Sequence, residues 1–398
     1  NNIGNVFFEQ KKMDDALAAY FKSTSIKPNY ADAYCNMANV LKHQGHLDEA
    51  LTTYKKALSI KPDNAEVYNN IGTALRDQGK LEAAIEAFKK ALLIKPKYLG
   101  AYFNMGLILQ DQGKLAEAIE AYTKALSVNP NYAEAHNNMG VILQDQGKLA
   151  EAIEAYTKAL CINPNYAEAH NNMGITLQDQ GKQEGAIEAY IKALSINPDY
   201  TDAHNNMGVT LQDQGKLEEA IEAYTKALSI NPDYDEAYNN MGNALKGVTF
   251  TKPDRDLQST IFSLLDRERY VRPNEIAKAA ISLLKLEPTL GKHLQSIDTD
   301  IEERPLDVIS YISELPLLLK LMSVCPLPDL ELEKLLTNLR RYILLNISSV
   351  EEASVELLGF QSALALQCFT NEYIYSFSDE EEEIVKLLEA SVKKHLEN

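Results

Sequence analysis

AEAHNNMGVILQDQGKLAEAIEAYTKALCINPNY, residues 133–166, holds two helices, a turn and a stop within 34 residues. In its first half His136, Met139, Gly140 and Leu143 fall at helical spacing along one stripe. Gly147 then permits the left-handed backbone that ends a helix. LAEAIEAYTKALCI (149–162) is a second helix, halted by Pro164, whose ring has no place in a helix interior. Gly140 and Ala152 lack bulk, so the paired helices can approach closely while Tyr156 fills the gap between them. One such pair cannot bury its apolar face alone, so neighbouring pairs must stack.

Outward from this stretch the pattern recurs at a fixed step of 34. Prolines stand at Pro28, Pro62, Pro96, Pro130, Pro164, Pro198 and Pro232. Glycines follow at Gly4, Gly72, Gly106, Gly140, Gly174, Gly208 and Gly242, with Ala38 the one substitution. An aromatic series (Tyr20, Tyr54, Phe88, Tyr122, Tyr156, Tyr190, Tyr224) keeps the same phase. Complete repeats are expected at 31–64, 65–98, 99–132, 133–166, 167–200 and 201–234. A partial repeat precedes them over 1–30, and a lone first helix follows over 235–248. Residues 114–147 and 148–181 differ at only four of 34 positions. GVTFTKPD (247–254) breaks the pattern and divides the chain into 1–248, the repeats, and 253–398, a second domain. A 34-residue period with this residue order resembles the tetratricopeptide repeat. The resemblance implies an all-α fold: a right-handed superhelical solenoid with the first helices on its concave face, followed by a helical C-terminal domain.

Bulk properties narrow the function. The 398 residues are 45% apolar and 24% charged, a folded composition, with net charge −18. Residues 1–250 hold 23 basic and 31 acidic residues, and 251–398 hold 16 and 26, so neither half offers the basic footprint a nucleic-acid binder needs. No run approaches 18 apolar residues, so no membrane span is expected. Cys35, Cys161, Cys325 and Cys368 are widely spaced without CxxC, which fits a reducing, cytoplasmic setting. Asn1 falls inside a repeat, so the sequence carries no information about a targeting segment.

Position six of each unit is asparagine: Asn2, Asn36, Asn70, Asn104, Asn138, Asn172, Asn206 and Asn240. Asparagine is a mediocre helix former, so local stability does not call for it repeatedly. Its amide offers donors and acceptors that can pair with both the N–H and C=O of an extended peptide. The alternatives are that the amides bond the adjacent repeat, or are simply copied with it. AHNNMG and AYNNMG at the starts of units resemble the repeats of O-linked N-acetylglucosamine transferases and their plant relatives. That resemblance covers 1–248 and implies a peptide-binding ladder at Asn36, Asn70, Asn104, Asn138, Asn172, Asn206 and Asn240.

Other periodic series have plainer readings. Acids at position two (Asp32, Glu66, Glu134, Glu168, Asp202, Glu236) lie three residues after Asn29, Asp63, Asn131, Asn165, Asp199 and Asp233, which is capping-box spacing. Asp77, Asp111, Asp145, Asp179 and Asp213 sit near the ends of first helices, where a negative charge is disfavoured. They either bond the following QG turn or form an acidic row facing a ligand. His136, His170 and His204 also recur at the repeat period, with Tyr in the same place elsewhere, and read as packing residues with a polar tip rather than metal ligands.

Beyond 253 the apolar pattern suggests five or six helices: 272–286, 306–324 interrupted at Pro316, 330–346, 354–375 and 380–398, with a capping box from Ser378 to Glu381. Only Gly291 and Gly359 occur after residue 253, so no glycine-rich phosphate loop is available. No catalytic constellation, metal site or cofactor is expected. VCPLPDLELEKLLTNLRRYIL (324–344) and ALALQCFTNEYIYSFSDEEEE (363–383) resemble the helical region that precedes the methyltransferase domain in bacterial tetratricopeptide-methyltransferase proteins. The expected function is a non-catalytic scaffold that binds a partner protein or extended peptide in its groove. The alternative is the substrate-recognition part of a methyltransferase or O-linked N-acetylglucosamine-type glycosyltransferase whose catalytic domain lies beyond this chain.

Overall fold

Close approach at one glycine per repeat organises the helix pairs of the computed structural model. A Cβ on Gly140 would lie 2.5 Å from Cε1 of Tyr156. Tyr156 is fully buried, its ring lying flat on bare backbone. Gly147, at φ +73°, closes the turn: its N–H bonds the Gln144 carbonyl at 2.8 Å, and Lys148 N–H bonds Leu143 O at 2.9 Å, a Schellman arrangement. The structure describes residues 1–267, 269–297, 305–345, 355–370, 381, 383, 384, 386 and 387. Among these it contains twenty-two α-helices and no strand.

The chain divides into two compact units, residues 1–182 and 183–398. The first comprises α1 (Asn2–Glu9), α2 (Met13–Ile26), α3 (Ala31–His43), α4 (Leu47–Ile60), α5 (Ala65–Asp77), α6 (Leu81–Ile94), α7 (Leu99–Asp111), α8 (Leu115–Val128), α9 (Ala133–Asp145), α10 (Leu149–Ile162) and α11 (Ala167–Asp179). Odd-numbered helices are the first members of each pair. They pack on their own partners and, more lightly, on the next first helix: α3 with α5, α5 with α7, α9 with α11.

The expected capping boxes are not present. The N-cap residues are Tyr30, Tyr132 and Tyr166, one position later than anticipated, and none donates or accepts a side-chain cap bond. The reason lies in the preceding loop. Asn129 Oδ1 accepts the Asn131 N–H at 3.1 Å, and Asn163 Oδ1 accepts the Asn165 N–H at 3.2 Å. These side-chain turns hold Asn131 and Asn165 in the loop, away from the helix mouth. In α5 the cap is Asn64, whose Oδ1 accepts from the N–H groups of Glu66 (3.1 Å) and Val67 (3.3 Å).

The second unit begins inside the array: α12 (Gln183–Ile196), α13 (Thr201–Asp213), α14 (Leu217–Ile230) and α15 (Asp235–Ala244). After the non-helical break follow α16 (Arg255–Leu265), α17 (Pro273–Lys285), α18 (Pro288–Gln295), α19 (Pro305–Ser313), α20 (Pro316–Val324), α21 (Leu330–Leu345) and α22 (Val355–Thr370). Pro316 splits the expected 306–324 helix and opens α20 as its first residue, where its missing N–H costs nothing. The sequence reading lacked α16 and α18. The expected last helix and the Ser378–Glu381 box fall largely outside the described residues.

One core runs through this unit, from Leu211 and Tyr224 through Met241 and Leu245 to Ile276, Leu321, Leu336 and Phe360. Met241 and Leu245 are both fully buried there. The lone first helix α15 therefore has a cover. Where other repeats set an aromatic ring on the glycine, a Cβ on Gly242 would meet Val271 Cβ at 3.1 Å and Tyr270 O at 3.3 Å. Tyr238 stacks on Tyr270, with centroids 5.8 Å apart, and the Arg267 guanidinium lies over the Tyr238 ring. Arg267 also bonds Asp233 and the Pro232 carbonyl, both at 3.0 Å.

Candidate functional site

The position-six asparagines from Asn36 to Asn240 sit half-buried on first helices, and the amide N–H groups of Asn36, Asn70, Asn104, Asn138, Asn172 and Asn240 reach back to the preceding repeat. In the first unit Asn70 donates to Asn39 Oδ1 (3.0 Å), Asn104 to Asn69 Oδ1 (3.4 Å), Asn138 to the Tyr122 hydroxyl (3.4 Å) and Asn172 to Asn137 Oδ1 (3.2 Å). Asn36 donates to Asn1 and Asn5, both at 3.1 Å. In the second unit Asn240 donates to Asn205 Oδ1 at 3.1 Å, and Asn206 is half-buried on α13. The buried asparagines at position five complete the linkage. Asn69 and Asn137 donate to Asn70 and Asn138, and Asn137 and Asn205 also donate to Glu168 (3.4 Å) and Glu236 (3.3 Å). The acids at position two thus take part in joining repeats. Of the two readings of the asparagine row, the geometry displays the tie between neighbours directly. An amide has two N–H groups and two carbonyl lone pairs, so one tie leaves it further capacity toward a ligand.

The Asp row occupies the last residue of each first helix. Its bonds run sideways: Asp77 accepts from Arg76 at 3.2 Å, and Asp179 accepts from Gln144 Nε2 at 3.0 Å. Asp77, Asp111, Asp145, Asp179 and Asp213 are all exposed. The turn is closed by backbone bonds to its glycine and by the next glutamine, whose amide donates to an acid on the previous second helix: Gln44 to Asp14, Gln78 to Asp48, Gln112 to Glu82. His136 and His170 place Nε2 3.1 and 3.0 Å from the Pro130 and Pro164 carbonyls that close the preceding repeat, the packing role expected of them. Among the described residues no group of three His, Cys, Asp or Glu side chains could hold a metal ion.

Sequence reasoning missed the coupling between the second-helix aromatic and the first-helix face. Tyr20 and Tyr54 donate their hydroxyls to Asn5 (2.8 Å) and Asn39 (2.5 Å), at position nine. Tyr122 and Tyr156 donate to Gln110 (2.9 Å) and Gln144 (3.2 Å), at position twelve, and in the second unit Tyr224 donates to Gln212. The position not needed for the tyrosine takes a different residue. Where position nine serves, position twelve carries Phe8 or Lys42; where position twelve serves, position nine is Leu107, Val141 or Val209. The repeat with Thr73 and Arg76 at these places offers no amide acceptor, and its aromatic is Phe88, which has no hydroxyl to satisfy. Burial pushes the Tyr122 hydroxyl up to about 12 and raises those of Tyr54 and Tyr156 further.

A family model described as "TPR repeat" matches residues 4–45, 106–147, 142–181, 177–215 and 211–247, and one described as "Tetratricopeptide repeat" matches 29–97. Together they span more than half of the chain. No curated protein matches. Among solved structures, MamA is 30% identical, with 41% of this chain and 95% of that one covered and a TM-score of 0.38. YrrB, described as "a TPR protein with an unusual peptide-binding site", is 26% identical over 46% of this chain and 95% of its own, with a TM-score of 0.40. The APC/C hetero-tetramer Cut9–Hcn1 is 16% identical over 61% of this chain and 48% of that one, with a TM-score of 0.51, a likeness of fold.

Proposed function

Because the chain belongs to the tetratricopeptide-repeat family through residues 4–97 and 106–247, we propose that its first-helix face binds an extended segment of a partner protein. The repeats 1–248 supply this face, and the helices beyond 253 serve as a scaffold that closes the array. The reading rests chiefly on the position-six asparagines. The amides of Asn70, Asn104, Asn138 and Asn172 are each oriented by a bond to the preceding repeat, so pre-set polar groups recur along the row. Pre-orientation lowers the entropy lost when a ligand is gripped. An extended chain, with every backbone N–H and C=O unpaired, is the partner such amides suit.

The test is selection of displayed random dodecapeptides on the immobilised chain, followed by calorimetry. Selected peptides should lose affinity when their backbone N–H groups are methylated, and more than when their side chains are exchanged. Peptides indifferent to methylation would sink the proposal. The likeness of 324–344 and 363–383 to methyltransferase-associated regions supports a second reading, in which the captured segment carries the residue a transferase modifies. Selected peptides matching sites of methylation or glycosylation would favour it.

A further inference from the structure

The first-helix face of residues 1–182 changes character along its length, and the tyrosine coupling explains why. Near α3 and α5 the hydroxyl acceptor is Asn39, or none is needed, and position twelve holds Lys42 and Arg76. Lys42 is half-buried, with Nζ 3.4 Å from Thr73 Oγ1, and it forms no ion pair among the described residues. Burial holds its pKa below the ordinary lysine value, against the attraction of the Asp77 carboxylate, while neighbouring Arg76 acts with burial. Arg76 extends Nη1 toward Asn104 at 3.5 Å and pairs with Asp77. From α7 onward the acceptor moves to Gln110 and Gln144, and position nine becomes apolar: Leu107, Val141 and Ile175, each half-buried. One end of the face thus offers two cations and hydrogen-bond donors, and the rest offers an apolar stripe beside the asparagines.

Helices packed side by side are about 8–10 Å apart. A polyproline-II chain advances about 3.1 Å per residue with three residues per turn, hence about 9 Å per turn, and leaves all its backbone groups unpaired. A fully extended strand instead repeats one side every two residues, about 6.6 Å, which drifts out of step with the repeats. Resting on the peptide-binding reading above, we propose that the occupant of this face is a polyproline-II-like segment with a carboxylate side chain on one turn and apolar side chains on the next three. The carboxylate sits between Lys42 and Arg76. Apolar groups spaced three residues apart meet Leu107, Val141 and Ile175, while Asn70, Asn104, Asn138 and Asn172 contact the backbone.

The experiment uses the whole chain and fluorescein-labelled dodecapeptides in a proline, alanine and serine background. One carries glutamate at its second residue and leucine at its fifth, eighth and eleventh; another has the reverse order, since chain direction is left to the assay. Fluorescence anisotropy should show one of the two binding at least tenfold tighter than its lysine-for-glutamate counterpart, and than a peptide with leucine at every second residue. Lys42→Gln with Arg76→Gln, the residue α7 and α9 carry at that place, should remove most of this preference. Lys89→Gln with Lys90→Gln deletes the same charge from the exposed side of α6 and should leave it intact. Equal binding of the alternate-residue peptide, or equal effects of the two double variants, would overturn the inference and leave the peptide-binding reading standing. Concentration-dependent self-association abolished by the first double variant would identify a second copy as occupant and also overturn it. Binding unmoved by Asn104→Ala, Asn138→Ala and Asn172→Ala in a folded triple variant would remove both.

Discussion

Gly242 faces Val271 so closely that a Cβ on the glycine would lie 3.1 Å from Val271 Cβ, in the place where preceding repeats set an aromatic ring on their glycine. The last first helix is thereby completed by a residue from outside the repeat pattern, and Met241 and Leu245 are buried by the same cover. Met241→Ala should cost about 2–5 kcal/mol, the range for a buried large-to-small change. Urea denaturation of unit-length protein measures it; a loss under about 1 kcal/mol would mean the cover is loose.

The tyrosine coupling makes a compensation prediction. Asn39→Leu leaves the buried Tyr54 hydroxyl without its acceptor and should cost about 1–3 kcal/mol. Adding Lys42→Gln copies the arrangement of Leu107, Gln110 and Tyr122 and should restore most of that loss. A double variant no more stable than the single one would show the coupling to be incidental.

Helix entry separates two asparagines that look alike in sequence. Asn64→Ala removes an acceptor for two backbone N–H groups and should cost about 0.5–2 kcal/mol. Asn131→Ala, at the place where the spacing had pointed to a cap, should stay within about 0.5 kcal/mol. Thermal melts in parallel decide it, and the reverse order would reinstate the capping box.

Alkaline titration follows from burial of the tyrosines. An unfolded tyrosine ionises near 10, whereas Tyr122 is pushed up to about 12, with Tyr54, Tyr156 and Tyr224 raised as well. Between these values the unfolded chain has released protons that the folded chain keeps. Stability, fully present below pH 10, therefore falls as pH rises through 10 to 12. Tyr122→Phe should shallow that slope by about one proton, read from urea midpoints at stepped pH. An unchanged slope would mean its hydroxyl ionises in the fold.

Replacing Asn104, Asn138 and Asn172 together by alanine should weaken a selected peptide by about 2–4 kcal/mol, at about 0.5–1.5 kcal/mol per hydrogen bond. Stability should fall as well, because each amide also ties its helix to the repeat before. Alanine's better helix propensity offsets only part of that. Calorimetry beside thermal melts separates the two roles; unchanged affinity would leave the tie as the row's whole purpose.

The helix pairs could be read from spacing because Gly140, Gly147, Pro164 and Tyr156 each impose a local constraint that recurs every 34 residues. Helix entry could not. Which residue caps a helix depends on the loop before it, and Asn163 binding the Asn165 N–H is a contact that spacing does not encode. Lys42 and Arg76 escaped notice because the reading looked for what stays constant, whereas here the departures carry the chemistry. Their meaning appears only once Tyr54 is seen on Asn39, two residues on different helices. α16 was missed because its cap, Asp254 bonding Leu257 N–H at 2.9 Å, lay inside the stretch taken as a linker.

A stack of like units carries complementary surfaces at its two ends, and such a pair, left open, invites head-to-tail growth of one copy on another without limit. Val271 and Tyr270 occupy the surface on which a further second helix would settle, and Arg267 locks them there through Tyr238 and Asp233. The plug removes one member of the complementary pair.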